Sequence, residues 1–452
     1  MNLNGKKILV IGAGKSGVAV SRFLGGKGAA VVLADAGQPD DPRSEREELA
    51  ARGVEIFLGG YPGVERGNFD LVVLSPGVPP AVEPARDALK YGIPLTGELE
   101  LAFRFAGSPF IAVTGTNGKT TTTTLIGEIF KKTGRNVLVG GNIGVPLVTE
   151  VEQFGPDDLI VAEVSSFQLE TAAAFKPRVG VILNITPDHL DRHGTMENYA
   201  AIKAKTVAKQ DPGDYAVLNY DDAATSALGK RLKSKVIYFS RQVVLPEGVF
   251  VREGKITARL GQSEEIICPV NELGIPGAHN LENALAAVAA TKVLGIESGS
   301  LADALRTFKG VSHRLEFVAE IDGVRYINDS KGTNPEASIK ALESCEEPVI
   351  LIAGGKNKGS DFSFFAGKMK EKARMLVVLG QSAGLIADAA RARGFKNIQY
   401  AGDFREAVML ARQYARPGET VLLSPACASW DMFRSYEERG DLFKEIVKSF
   451  EI

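Results

Sequence analysis

Short runs of apolar residues alternate with helical stretches along this chain. Continuous apolar runs predict strands buried on both faces, and helices between them predict a parallel sheet covered by helices. The first hundred residues therefore have the pattern of an α/β fold. The predicted strands there are 7–11, 30–34, 71–74 and 94–96, with a helix over 17–27 between the first two.

The same alternation recurs in two further stretches of the chain. A length of 452 residues leaves room for two to four domains. We therefore expect three α/β domains in series, over 1–97, 98–311 and 312–452. The later predicted strands are 110–113, 159–162, 179–183, 349–353, 376–379 and 421–423.

Composition narrows the class of protein. Hydrophobic residues make up 44% of the chain, and the net charge is −2, so no bulk attraction to nucleic acid or membrane is expected. Three widely spaced cysteines without a CxxC pair favour a reducing compartment. No secretory segment or membrane-length apolar run is present in the sequence. We expect a soluble, cytoplasmic protein that binds neither nucleic acid nor membrane.

A phosphate-binding loop is the most informative motif. Residues 110–125 read FIAVTGTNGKTTTTTL, a strand followed by a glycine-bearing loop and a helix start. Backbone N–H groups in such a loop and at the helix N-terminus bind phosphates, while a lysine and a hydroxyl serve the outer phosphates and Mg²⁺. The alternative is an ordinary βα turn, since Val113 stands where the common motif has its first glycine. The expected nucleotide contacts are Gly115, Thr116, Asn117, Gly118, Lys119, Thr120 and Thr121.

A second glycine-rich turn lies near the start of the chain. Residues 12–17 have the G-x-G-x-x-G pattern, and Asp35 ends the next predicted strand. This combination is typical of dinucleotide sites, which keeps an NAD-dependent dehydrogenase as an alternative function. A uridine diphosphate could use the same turn.

Acidic and histidine side chains follow two strands of the middle segment. Glu163 ends one strand, where a carboxylate could hold Mg²⁺ on nucleotide phosphates or simply be a strand-end glutamate. His189 and His193 have i, i+4 spacing, but Pro187 and the missing H-E-x-x-H pattern argue against zinc. We favour one histidine near Mg²⁺ or substrate.

Several other polar residues have two interpretations. Asn280 and Asn283 start a helix and could be caps or readers of a purine edge. Lys203 and Lys205 lie on one helix, and nothing in their chemistry singles out either. Polar, glycine-marked stretches follow strands of the last segment, where α/β domains bind ligands. These stretches are 329–335, 354–362 and 424–431.

Taken together and in order, these motifs resemble the Mur ligase superfamily over essentially the whole chain. The last two motifs are similar to those of its D-glutamate-adding branch, and the D-N-P-R signature of other branches is absent. The motifs are TGTNGKT at 114–120, GNIG at 141–144, EVSSFQLE at 163–170, 184–192, HNLEN at 279–283, HR at 313–314, NDSKGTN at 328–334 and 424–433.

The resemblance implies an ATP-dependent amide ligase acting through an acyl phosphate in peptidoglycan precursor synthesis. The substrates would be UDP-N-acetylmuramoyl-L-alanine, D-glutamate and ATP. The enzyme would use two Mg²⁺ ions, and we expect it to be a monomer. Folylpolyglutamate synthase is the alternative ligase, but that relative begins close to its phosphate loop and lacks a domain like 1–97. A non-enzymatic ATP switch would not need Glu163, His189 and Lys203 together.

The resemblance also implies roles for single residues, including a carbamylated Lys203 as a metal ligand. The metal site would be formed by Thr120, Glu163, His189 and Lys203, and catalysis would involve Lys119, Glu163, His189, Lys203 and Asn142. Asn280 and Asn283 would contact adenine, and Arg314, Asp329 and Lys331 the ribose and phosphates.

Substrate contacts are implied in the first and last segments. The region that would bind the UDP part of the substrate differs in sequence from some relatives. In those relatives a hydroxyl residue and an arginine can follow the aspartate, whereas this chain has Asp35-Ala36-Gly37. Tyr436 stands where phenylalanine is frequent, and Trp430 where leucine is. The implied substrate residues are Gly14, Lys15, Ser16, Asp35, Ser75, Asn142, Thr333, Lys358, Ser429 and Tyr436.

Overall fold

The chain divides into two compact units, Met1–Phe308 and Lys309–Ile452. The computed structural model describes residues 1–37, 43–275, 277–345, 348–357 and 359–451, with backbone only for 43–46 and 451. The first unit contains two sheets and the second contains one. Over the residues described, no helix is long and apolar enough to cross a membrane.

The first sheet has five parallel strands, and the predicted strands at 7–11, 30–34, 71–74 and 94–96 are confirmed. Its spatial order, β3-β2-β1-β4-β5, puts a topological switch at β1, the strand that leads into the first glycine-rich turn. The strands are β1 Lys7–Ile11, β2 Ala30–Asp35, β3 Glu55–Leu58, β4 Leu71–Leu74 and β5 Leu95–Gly97, with helices α1 Lys15–Gly26, α2 Arg43–Ala51 and α3 Glu83–Lys90.

The second sheet has nine strands and forms the middle of the first unit. The strands are β6 Phe110–Thr114, β7 Val137–Gly141, β8 Leu159–Glu163, β9 Val179–Ile182, β10 Tyr215–Asn219, β11 Lys235–Ser240, β12 Gly248–Arg252, β13 Lys255–Leu260 and β14 Ser263–Pro269. The helices are α4 Glu98–Phe105, α5 Lys119–Lys132, α6 Ser166–Glu170, α7 Leu190–His193, α8 Met196–Ala208, α9 Ala223–Leu228, α10 Ala278–Lys292 and α11 Ser298–Thr307. Four 3₁₀ turns complete it, at Leu147–Thr149, Val151–Gln153, Gly229–Arg231 and Val270–Glu272.

Strand β6 lies between β8 and β9, and the phosphate loop leaves its carboxyl end. The register pairs Val113 with Glu163 on β8 and Thr114 with Ile182 on β9. All three strands run parallel and are buried along their whole length. The loops that follow them therefore open at one edge of the sheet, where ligands bind in such folds.

The third sheet makes up the second unit, in the order β15-β16-β20-β17-β18-β19. Strands β16, β20 and β17 are parallel neighbours, so the loops after Asn328, Leu423 and Gly354 meet at one edge. The strands are β15 Glu316–Ile321, β16 Val324–Asn328, β17 Val349–Gly354, β18 Ala373–Leu379, β19 Ile398–Tyr400 and β20 Thr420–Leu423. The helices are α12 Pro335–Ser344, α13 Ser363–Lys372, α14 Ala383–Ala392, α15 Phe404–Tyr414 and α16 Tyr436–Lys448, with a 3₁₀ turn at Ser449–Glu451.

One hydrophobic core serves both sheets of the first unit. Buried residues of β1 and β2 belong to the same cluster as residues of β6, β8 and α4. Phe103, Phe110 and Phe175 meet edge to face within it, with ring centroids 5.4 to 5.8 Å apart. Such aromatic pairs add stabilisation beyond the area they bury.

Helix α4 joins the two sheets and carries two buried acids. Glu98 is 2% exposed and its Oε1 accepts a hydrogen bond from the Val148 N–H at 3.0 Å. Glu100 is 1% exposed and accepts N–H groups of Ala174 and Phe175. Burial raises the pKa of Glu98 to about 7, against the smaller opposing effect of its backbone hydrogen bonds.

Glu98→Gln should change how stability depends on pH. The pKa of Glu98 is raised on folding, so the folded protein binds the Glu98 proton more tightly than the unfolded chain does. This proton therefore stabilises the fold at low pH, and the stabilisation is lost as pH rises from about 4.5 to about 7. The wild type should lose about 3 kcal/mol relative to the variant across this window. Urea unfolding of the first unit, in the wild type and in the variant, gives the difference between their free energies of unfolding at about pH 5 and at about pH 8. Equal differences at both pH values would contradict the assignment.

Candidate active site

The phosphate loop bends sharply between β6 and α5. Gly118, the N-cap of α5, has φ +84°, in the left-handed region. A Cβ atom at this position would lie 2.2 Å from Asn283 Oδ1. Both its backbone and its surroundings therefore require glycine, and this N-cap residue has no side chain that could cover the N–H groups at the start of α5.

The loop is fastened by its own lysine and by the segment after β9. Lys119 Nζ donates to the carbonyl oxygens of Gly115 and Thr116, at 2.9 and 2.8 Å. The Thr116 hydroxyl donates to the Thr186 carbonyl and accepts the Thr186 N–H. The Asn117 N–H donates to Asn184 Oδ1 at 2.8 Å. The loop is held in a fixed shape by these contacts.

Lys203 reaches the same loop from α8. Its Nζ donates to the Gly115 carbonyl at 2.8 Å and lies 4.6 Å from the Tyr199 ring centroid. The side chain is 1% exposed. Burial, with the neighbouring Lys119 charge as a smaller cause, lowers the pKa of Lys203 to about 7. Lys205, by contrast, donates to the carbonyls of Leu169 and Glu170 at the end of α6.

Glu163 and Asn142 are brought together at the end of β8. Asn142 donates its backbone N–H to the Glu163 carbonyl at 2.9 Å and its amide Nδ2 to Glu163 Oε1 at 2.8 Å. Gly141 has φ +103°, and a Cβ there would lie 2.4 Å from the Glu163 carbonyl oxygen. Glu163 Oε2 is buried and has no hydrogen-bond partner in the part of the chain described. A buried, unsatisfied carboxylate oxygen beside a phosphate loop fits a cation ligand.

The two histidines of this region have different surroundings. His189 has φ +51° at the N-cap of α7 and packs on Phe167, with ring centroids 4.8 Å apart. His193 is buried, forms a hydrogen bond with Ser166 Oγ at 3.0 Å, and has its pKa lowered by burial. Across the described ranges, no group of three or more His, Cys, Asp or Glu is arranged to hold a metal.

Asn283 lies under the phosphate loop. It is 5% exposed; its Oδ1 accepts the Thr122 hydroxyl at 3.3 Å, and its Nδ2 donates to Asn280 Oδ1 at 3.5 Å. Through these contacts Asn283 supports the phosphate loop. The sequence did not predict this role, although it has two amide side chains three residues apart at the start of a helix. Contact of Asn280 and Asn283 with adenine stays a prediction.

Asp35 and Ser75 fasten the first glycine-rich turn. Asp35 Oδ2 accepts the Ala13 N–H and its Oδ1 accepts the Gly37 N–H, both at 2.8 Å. The Ser75 hydroxyl donates to the Gly12 carbonyl at 3.0 Å. Gly14 caps α1 without a side-chain hydrogen bond, and Gly14 and Lys15 are exposed while Ser16 is half-buried. The start of α1 thus leaves N–H groups accessible to an anion.

In the second unit, Asp329 anchors the loop after β16. It accepts the Ser424 hydroxyl at 2.7 Å and the Leu315 N–H at 3.2 Å. Burial raises the pKa of Asp329 to about 6. The residues on either side of Arg314 both have positive φ, +63° at His313 and +43° at Leu315. Strained backbone of this kind concentrates at functional sites.

Two of the residues predicted to bind the amino acid, Thr333 and Ser429, lie on the loops that follow β16 and β20 of the same unit. Ser429 is 2% exposed, and Thr333 is half-buried next to Lys331. Tyr436 opens α16; the Lys331 Nζ lies 5.9 Å from its ring centroid, and burial raises its pKa to about 12. Lys358 lies outside the described residues.

Arg192 is a residue that the sequence analysis missed. Its guanidinium pairs with Glu170, lies 4.4 Å from the Phe167 ring centroid and donates to the Val78 carbonyl at 3.0 Å. It therefore ties the segment around His189 to the loop that follows β4 of the first sheet. The only indication of this role in the sequence was that an arginine ends the motif at 184–192.

Family models match the chain in three consecutive stretches. The Mur ligase MurD-like N-terminal domain matches 6–97, the Mur ligase middle domain 113–291, and the Mur ligase glutamate ligase domain 313–427. These matches confirm the predicted three-domain α/β fold class.

Individual relatives agree with these matches. UDP-N-acetylmuramoylalanine–D-glutamate ligase of Pelotomaculum thermopropionicum is 71% identical, over 98% of each chain. The solved structure of UDP-N-acetylmuramate-alanine ligase MurC from Thermotoga maritima has TM-score 0.56 at 21% identity, over 98% of this chain and 100% of that one. MurF ligase from Thermotoga maritima in complex with ADP has TM-score 0.55 at 19% identity, over 93% and 96%. The chain belongs to the Mur ligase family, in the branch of the UDP-N-acetylmuramoylalanine–D-glutamate ligases.

Proposed function

We propose that this protein is an ATP-dependent ligase that joins D-glutamate to UDP-N-acetylmuramoyl-L-alanine, a step of peptidoglycan precursor synthesis. The observation that carries the proposal is 71% identity, over 98% of both chains, to a protein with this activity in its name. The phosphate loop and the acid beside it supply the chemistry that such a reaction needs.

The reaction requires activation of a carboxylate. An oxygen of the alanyl carboxylate attacks the γ-phosphorus of ATP, and ADP leaves. The amine of D-glutamate then attacks the acyl carbon, the carbon–oxygen bond to phosphate breaks, and inorganic phosphate and one proton are released. Phosphoryl transfer of this kind is catalysed mainly by positioning and charge neutralisation.

The loop after β6 is suited to the nucleotide phosphates. The N–H groups at the start of α5 and the ammonium of Lys119 provide donors and positive charge. Asn142 is hydrogen-bonded to Glu163, so its side-chain amide lies close to the carboxyl end of β8, next to this loop. We assign these residues to ATP and to the reacting carboxylate.

The donor set near the loop fits Mg²⁺. The unsatisfied Oε2 of Glu163 supports a cation there, and Thr120, His189 and a carbamylated Lys203 are the further proposed ligands for two ions. When bound, Mg²⁺ would neutralise charge on the phosphates.

Lys203 is suited to carbamylation. Only a neutral amine attacks carbon dioxide, and a pKa of about 7 leaves a large neutral fraction at physiological pH. The neutral amine of Lys203 forms a nitrogen–carbon bond to carbon dioxide as one proton leaves the nitrogen, and the product is an anionic carbamate. Burial beside Tyr199 keeps water from this group.

The other assignments follow the three segments. We propose that 1–97 binds the UDP-sugar, 98–311 ATP, and 312–452 the amino acid, in a cytoplasmic monomer without nucleic-acid or membrane partners. The UDP contacts are Gly14, Lys15, Ser16, Asp35 and Ser75; the amino-acid contacts are Thr333, Lys358, Ser429 and Tyr436. Arg314, Asp329 and Lys331 remain proposed nucleotide contacts.

Phosphate release should depend on one combination of substrates. With ATP, Mg²⁺ and UDP-N-acetylmuramoyl-L-alanine, the purified protein should release phosphate with D-glutamate and at least about 100-fold more slowly with L-glutamate. A site that forms charge-assisted hydrogen bonds to both carboxylates discriminates by about this much when one is misplaced. Release is measured with a coupled colorimetric assay.

The alternatives give different results in the same assay. Turnover with L-glutamate and a folate, without the UDP-sugar, would identify a folylpolyglutamate synthase and contradict the proposal. Reduction of NAD, without phosphate release, would identify a dehydrogenase. Omission of the UDP-sugar is the matched control for background ATP hydrolysis.

Lys203→Ala should reduce turnover by about 1,000-fold or more, since the proposed anionic ligand is lost. Added acetate should restore part of the activity by occupying the vacated space. In the wild type, ¹³C-labelled carbon dioxide should give a carbamate signal in the carbonyl region of the NMR spectrum, which the variant lacks.

Lys205 on the same helix and Lys209 directly after it provide controls. Lys205→Ala removes the contacts to the end of α6, and acetate should not rescue any loss that follows. Lys209→Ala, at an exposed position, should retain full turnover. If Lys203→Ala keeps near-wild-type turnover, the carbamate assignment is wrong.

A further inference from the structure

Helix α4 is part of the active-site scaffold although none of its residues lies in a recognised motif. It begins directly after β5 of the first sheet, and its first residue is Glu98. A glutamate so fully buried needs partners, because transfer of its carboxyl from water is costly.

The partners of Glu98 lie at the start of the 3₁₀ turn Leu147–Thr149. Its Oε1 accepts the Val148 N–H at 3.0 Å, and the Leu147 N–H also hydrogen-bonds to the carboxyl. These are N–H groups that a helical turn leaves without internal partners. The acid therefore caps this turn from another element, and within the described ranges no cation forms an ion pair with it.

The capped turn ends the short loop that carries Asn142. This loop, 141–146, is closed by a hydrogen bond from the Gly141 N–H to the Val145 carbonyl, at 3.3 Å. Strand β7 fixes one end of the loop, and the Glu98-bound turn fixes the other. Asn142 itself is exposed, so its position depends on the two anchored ends and on its contacts with Glu163.

Glu100 provides an internal comparison. It is equally buried on the same helix, but it accepts the N–H groups of Ala174 and Phe175, beyond α6, and pairs with Arg104 on α4 at 2.7 Å. Loss of either acid should cost stability, since each leaves buried N–H groups unpaired. Only the loss of Glu98 should release the loop of Asn142.

We propose that Glu98 is a positioning residue for the ligase reaction, and that its carboxyl holds the 141–149 segment so that Asn142 lies against Glu163. The inference rests on the proposed function, because its test measures the kcat of the proposed ligase reaction. It requires that Glu98 acts through Asn142.

A double-mutant cycle tests this coupling. Glu98→Ala should lower kcat by about 10- to 100-fold, the effect of losing one or two buried hydrogen bonds. In the Asn142→Ala background the same change should lower kcat by less than about threefold, because the residue through which it acts is already gone. The KM values for ATP and the UDP-sugar should change less than kcat. Glu98→Gln, which keeps an acceptor oxygen for Val148, should restore most of the activity.

Glu100 serves as the control cycle. Glu100→Ala should reduce kcat by the same factor with and without Asn142→Ala, because the partners of Glu100, on α4 and at 174–175, all lie outside the 141–149 segment. If the effects of Glu98→Ala and Asn142→Ala multiply in the same way, Glu98 has only a general structural role and the proposal is overturned.

Hydrogen exchange gives a readout that does not depend on activity. Peptides covering 141–149 should exchange faster in Glu98→Ala than in the wild type, Glu98→Gln or Glu100→Ala. Unchanged exchange there would overturn the proposal even if kcat falls. If Glu98→Ala does not fold, Glu98→Asp replaces it, since a carboxyl shortened by one methylene cannot reach Val148. A wild type that releases no phosphate would refute the proposed function, and the exchange experiment would still decide whether Glu98 anchors the loop.

Discussion

The carbonyl oxygen of Gly115 receives two lysine ammonium groups, from Lys119 and Lys203. Two positive charges close together in a buried place repel each other, which is one cause of the lowered pKa of Lys203. Anions nearby would relieve this repulsion, whether they are the phosphates proposed for the loop or the carbamate proposed for the lysine. The two lysines that hold the loop in shape are thus also the source of the positive charge next to it.

Buried strands could be predicted from the sequence because both of their faces are apolar. Strand β6 and strand β4 are continuous apolar runs, and both were found within one residue. The antiparallel strands β13 and β14 were missed because their exposed positions carry charges such as Glu264, which interrupt the apolar run. Turn glycines with positive φ, Gly254 and Gly261, were the available signal.

Within the site, the sequence identified groups whose position follows from a strand end. Glu163 is one of them, since register alone puts it beside β6. Lys203 could be distinguished from Lys205 only through the resemblance, because their burial depends on which side of α8 faces the phosphate loop. The supporting roles of Asn283 and Glu98 arise from contacts distant in sequence, which no local pattern reveals.

The apolar cluster shared by the first two sheets has a consequence for how such proteins can be recombined. Family boundaries divide the chain near residue 97, but the apolar cluster continues from β1 and β2 into β6 and β8. A fragment ending there would expose the side of the first sheet that packs on α4. Exchange of N-terminal domains between related ligases must therefore transfer α4 and its facing core residues together with the first sheet.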